Sequence, residues 1–159
     1  MALMVRTQLN TNAGDYTHAI EDADRAASYI EKITNVQHAR CWTRALANVE
    51  LDVALAACNR SFEINWSDTN TFNARGLVYL RLEDWEAAYK DFSQIAEMRF
   101  RAYAQYGAGL ARIAMGYASE GEALVSKALQ RDRTAGEVLN SLGYTPDYMK
   151  SVAAAQKAN

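Results

Sequence analysis

The chain has 159 residues, half of them apolar, with 17 basic against 19 acidic side chains and a formal net charge of −2. That length can bury a core without staples, and 1 proline with 8 glycines excludes a collagenous or Pro-rich chain. The slightly acidic balance argues against a dedicated nucleic-acid binder, which needs a basic face, and no apolar run reaches the roughly 18–20 residues of a membrane span.

In chain order, residues 1–12 carry one charge, Arg6, and no apolar block ahead of a small-residue cleavage site. A secretory leader looks different, so the default expectation is a cytoplasmic protein, or a periplasmic one if a leader was removed. Apolar and small residues at helical spacing predict helices near 2–12, 16–32, 36–48, 51–63, 70–82, 85–97, 102–115 and 118–131. The stretch from Asp68 to Thr71 offers N-caps for the fifth, Asp84 for the sixth, and Asp132 to Thr134 for the next. A further helix is expected over 135–142, stopped by the GYTP run from Gly143 to Pro146, with Gly as a left-handed cap and Pro unable to continue. Residues 147–157 are Ala-rich and read as a short helix or a frayed tail. Residues 1–97 hold 9 basic and 14 acidic side chains, whereas 98–159 hold 8 and 5; such asymmetry can steer a partner or simply solvate a face.

Sliding the chain against itself exposes a repeat. Two amphipathic helices between Thr71 and Ala96 place Gly76 and Tyr79 on the first and Ala88, Phe92 and Ile95 on the second. A shift of 34 residues back sets Ala54, Cys58 and Ser61 under that triplet and Trp42 under Gly76. A shift of 33 forward sets Gly109 under Gly76, Gly116 under Glu83, and Gly121, Val125 and Ala128 under the triplet. Gly14 through Ile20, with Ala26 beyond, repeats the turn and second helix once more.

A 33–35-residue period with these small and aromatic positions resembles the tetratricopeptide repeat. Gly76 and Gly109 fill the motif's Gly position and Tyr79 its aromatic one; Ala19, Ala54 and Ala88, then Ala26 and Ala128, fill its two Ala positions. The sequence departs at the terminal Pro of each repeat, replaced by Trp66, Phe100 and Arg133, and at Trp42, Ala45, Arg112, Ser61, Ile95 and Gly121. The stretches CWTRALAN, RGLVYLR and YGAGLAR, from Cys41, Arg75 and Tyr106, resemble a short bacterial, alphaproteobacterial, group of these proteins that carries no settled activity. The resemblance implies an all-α fold: a right-handed α-solenoid of about four helix pairs (1–34, 35–68, 69–101, 102–134) with a cap at 135–146 and a tail at 147–159. Lone pairs cannot bury their apolar stripes, so neighbours stack and share a core.

The inventory for chemistry is thin. Cys41 and Cys58 stand 17 apart with no CxxC and no clustered His, which disfavours zinc. Free buried thiols are the default expectation, and a disulfide, which needs an oxidising compartment, is the alternative. His18 reads as a solvated surface residue; His38, three residues before Cys41, could form a Cys/His nucleophile pair, but no orienting group or oxyanion donor accompanies it. The GAGLAR run from Gly107 lacks a preceding strand and a third Gly, and fits close helix packing better than a phosphate loop. NRS at Asn59 and NWS at Asn65 match the glycosylation pattern by coincidence in a bacterial-type chain. The acidic clusters around Asp22 and Asp84 lack the alternation of a calcium loop and suit helix N-termini. No enzyme, metal or cofactor is therefore expected.

The expected function is a non-catalytic scaffold that holds a peptide or protein segment. In the family the first helix of each pair lines the concave groove, which here implies Ala39 and Thr43, then Asn70, Asn73, Leu77 and Arg81, then Tyr103, Tyr106 and Leu110. Asn73 and Asn70 would fix peptide backbone, Tyr103 and Tyr106 would anchor it, and Arg81 would select an acidic group. Alternatively these residues solvate a wall, or a terminal helix fills it. The carboxylate clamp of chaperone-binding members is absent, since Ala39 and Thr43 stand where it places Lys and Asn. The rival expectation is a secretion-type chaperone or a self-associating assembly protein using convex or end surfaces.

Overall fold

The computed structural model describes residues 2–97 and 101–158, so Phe100, one of the expected Pro replacements, lies outside the described residues. Those residues form α1 (Ala2–Asn12), α2 (Tyr16–Tyr29), α3 (Thr34–Ala47), α4 (Leu51–Ile64), α5 (Thr69–Arg81), α6 (Trp85–Ala96), α7 (Ala102–Ala114), α8 (Ala118–Arg131), α9 (Glu137–Ser141) and α10 (Pro146–Ala158), with no strand among them. The fold class is all-α. Two compact units divide the chain, one ending at Arg81 and the other beginning at Leu82.

In the first unit α1 packs on α2, α2 on α3, and α3 and α4 on each other and on α5; α1 also touches α3. The first helices of the predicted pairs thus stand as neighbours. In the second unit α7 is central, packed by α6, α8 and α10. The positions that the self-comparison aligns are core positions: Ala19, Ala54, Cys58, Ser61, Ala88, Phe92, Gly121, Val125 and Ala128 are all buried. Burying the apolar members of this stripe drives each pair together.

The turns inside the pairs share one backbone device. Gly14, Asn48, Glu83 and Gly116 have φ of 77°, 57°, 59° and 90°, and their spacings are 34, 35 and 33 residues. The left-handed conformation reverses the chain after a helix and is easiest for Gly, then Asn. After this turn Asp15 and Asp84 cap α2 and α6, accepting from the N–H of His18 and Ala87, and Asp68 does the same for α5 through Thr71 N at 3.0 Å. Asp132 instead closes a local turn with Thr134, two residues on.

Two expected spans differ. α2 ends at Tyr29, because Ile30 turns extended and its side chain, like that of Tyr29, has nothing to bury against. α9 has only five residues, and Pro146 opens α10 at a position where a missing N–H costs nothing. The C-terminal stretch is a full helix, anchored by the fully buried Met149. Gln156 tightens it, its amide donating to Ala114 O at 3.1 Å and accepting from Trp85 Nε1 at 2.9 Å.

The thiols are not free. Packing of α3 on α4 brings the Cα atoms of Cys41 and Cys58 to 5.3 Å, inside the range a disulfide spans, and the two are joined. Both are fully buried, so Cys41 offers no thiolate to His38.

Candidate functional site

The neighbouring helices α1, α3 and α5 of the first unit enclose a groove of about 300 Å³. From α1 it receives Met4, Thr7, Gln8 and Thr11; from α3, Asn35, His38, Ala39, Trp42 and Thr43; from α5, Asn70. Helical spacing explains the set, since Thr7 and Thr11 are one turn apart, as are Asn35 with Ala39 and His38 with Trp42. Three of the residues predicted for a concave wall, Ala39, Thr43 and Asn70, are therefore brought together.

The groove is polar but uncharged. His38 is its one titratable lining group, and burial holds its pKa below the ordinary imidazole value against the pull of Asp68. The imidazole stacks nearly parallel to Trp42, with centroids 6.5 Å apart and planes at 13°. The threonine hydroxyls spend their protons on their own helices: Thr7 donates to Leu3 O at 2.9 Å, Thr11 to Thr7 O at 2.7 Å and Thr43 to Ala39 O at 2.8 Å. What each hydroxyl keeps is acceptor capacity.

The cations around this wall are engaged. Arg6 holds Asp22 at 2.6 and 2.5 Å, and that hydrogen bond lowers the Asp22 pKa. Arg44, itself buried, binds Asp24 at 2.6 Å and Glu50 at 2.8 Å, and Arg40 binds Asp24 at 2.8 Å. Burial works against the Asp24 charge, but the hydrogen bonds from Arg44 and Arg40 outweigh it and keep the carboxyl below its ordinary range.

Arg81 departs from its expected role. Its Nε and Nη2 donate to Ala45 O at 3.1 Å and Leu46 O at 3.0 Å, the last carbonyls of α3. A helix C-terminus has unsatisfied carbonyls and negative potential, and a guanidinium answers both. Arg131 does the same in the second unit, reaching back to Ala96 O at 3.0 Å. Leu77 is fully buried, and Asn73 is half-buried with Oδ1 unpartnered among the described residues.

In the second unit the expected wall residues face into the packing. Leu110 is fully buried, and Tyr106 keeps 2% of its surface exposed, donating its hydroxyl to Asn140 at 2.8 Å. Burial raises its pKa, and the hydrogen bond to Asn140 only partly offsets this. A Cβ on Gly136 would come within 2.5 Å of the Tyr106 ring, so α9 is seated on it. Tyr103 meets Phe92 edge-on at 6.0 Å. Neither Tyr106 nor Leu110 offers a surface that a ligand could touch.

His38 and Trp42 were legible as groove residues only in part. Both lie on the α3 face that also carries Ala39 and Thr43, but Trp42 occupied a small-residue slot and read as interlayer filling. The α1 contribution carried no signal, because that helix has almost no amphipathic character. Among the described residues no helix is long and apolar enough to cross a membrane. No protein-family model matches this chain, and no curated protein matches it.

Proposed function

We propose that this chain is a non-catalytic scaffold of the α-solenoid class, built from about four tetratricopeptide-like helix pairs of the short bacterial kind, and that the wall of α1, α3 and α5 holds a peptide or protein segment. The repeat reading is supported by the left-handed turns spaced 34, 35 and 33 residues apart and by the buried positions that recur with them. The single observation that carries the binding reading is the groove itself, a concave site lined by amides, hydroxyls and a stacked aromatic pair. Peptide recognition needs groups that pair with backbone N–H and C=O and a flat apolar face for a side chain. Gln8, Asn35 and Asn70 supply the first, Trp42 the second. The disulfide supports an oxidising compartment rather than the cytoplasmic default.

A displayed library of short random peptides tests this. Peptides enriched on the intact chain should bind the double variant Trp42→Ala, Asn70→Ala at least about tenfold more weakly, with its melting temperature within a few degrees of the parent. Equal binding by the variant, or no enriched peptide, removes the groove as the site.

Self-association is a second reading with its own observation. Tyr29, Ile30 and Ile33 are 73%, 49% and 41% exposed and line an apolar hollow of about 680 Å³ with Leu3, Met4 and Val36, the kind of surface that marks interaction sites. Light scattering across a concentration series checks it; a mass that stays at one chain rejects it.

A further inference from the structure

We infer that the α1–α3–α5 groove selects an uncharged, hydrogen-bond-donating peptide segment, rich in Asn, Gln, Ser or Thr, and discriminates against acidic and basic ones. This rests on the reading that the groove holds a peptide and adds which peptide it holds.

The argument is one of available partners. An acidic ligand group needs a cation, and the nearby guanidinium groups are committed: Arg81 to the carbonyls of Ala45 and Leu46, Arg44 and Arg40 to Asp24, Arg6 to Asp22. Recruiting one would break a charge-assisted hydrogen bond and strip a helix end or a carboxylate of its partner. A basic ligand group needs an anion, and no carboxylate lines the groove. Asp68 is the closest acid in electrostatic effect, acting on His38, but its carboxylate accepts from Thr71 N and from the Thr71 hydroxyl at the start of α5. A charge of either sign would thus lose water and gain no counter-ion, which costs more than any neutral hydrogen bond returns.

Uncharged donors fit better. Thr7, Thr11 and Thr43 present oxygens whose own protons are already donated along the helices, so each can only accept. Primary amides and hydroxyls of a ligand supply the donors these acceptors lack. The amide of Asn70 accepts and donates at once, completing a reciprocal pair with a ligand amide. Trp42, backed by the parallel imidazole, gives the ligand's aliphatic atoms a dry face.

The test uses the same random-peptide library on the full-length chain, counting only binders that the Trp42→Ala variant loses. Groove-dependent binders should be depleted in Asp, Glu, Lys and Arg at their central positions. Replacing one central Asn or Ser of such a binder by Asp or by Lys should weaken it at least about tenfold. Reversal supplies the second arm: Asn70→Arg places an unpaired guanidinium at the groove rim and should enrich acidic peptides. Groove-dependent binders that are as charged as the starting library, or that tolerate both substitutions, overturn the selectivity while leaving the peptide reading intact. An absence of groove-dependent binders overturns both.

Discussion

His38 stands in two roles at the residue scale, as a groove wall and as a group that resists protonation. Burial depresses its folded pKa, so the unfolded chain takes up a proton at mildly acidic pH that the folded chain refuses. The sign follows: its contribution is complete above the unfolded value of about 6.5 and is lost as pH falls from there through the folded value. His18 acts oppositely, since its bond to Asp15 raises its pKa and favours the folded chain below about 6.5. It is fully exposed to screening, so His38 dominates. The melting temperature should drop between about pH 7.5 and 5.5, and His38→Asn should flatten that drop. A profile unchanged by His38→Asn shows that another group sets it.

At the scale of elements, two helix–turn features have opposite tolerance. α7 and α8 cross with backbone almost on backbone: a Cβ on Gly121 would lie 2.5 Å from Gly109 O and 2.5 Å from Ile113 Cγ1. Backbone cannot yield as a flexible side chain does. Gly121→Ala should therefore cost on the order of 1–3 kcal/mol or more, read by urea unfolding. Glu83 is the converse, a side-chain-bearing residue at φ 59° in the turn that Gly116 occupies one repeat later. Relief of the left-handed penalty makes Glu83→Gly neutral or stabilising, by up to about 1 kcal/mol. If both substitutions destabilise alike, the crossing and the turn are not governed by these local contacts. Glu83 also shows why the turn was legible in only some repeats, since Gly and Asn announce a positive φ and Glu does not.

At the scale of the molecule, both cysteines fall in the first unit, so the covalent link acts on α3 and α4 alone. Closing a loop of about this length stabilises a fold by about 3 kcal/mol in the chain-entropy account. The double variant Cys41→Ala, Cys58→Ala should lower the stability of the first unit by that order. Intact-mass measurement after alkylation under denaturing, non-reducing conditions should find no labelled thiol in protein made in an oxidising compartment; two labelled thiols would refute the link. The helices and their buried stripes needed only the sequence, because amphipathic period, caps and small residues are local and recur every 33–35 positions. Pairing the cysteines required knowing which faces of α3 and α4 meet. Arg81 needed it too: a guanidinium looks available in sequence and is taken only when α5 sets it against the end of α3. Tyr106 likewise reads as a surface anchor until α9 settles on its ring. Local pattern determined what the elements are; which polar and aromatic groups remain for a ligand was decided by long-range packing, because burial and hydrogen-bond partners come from residues distant in the chain.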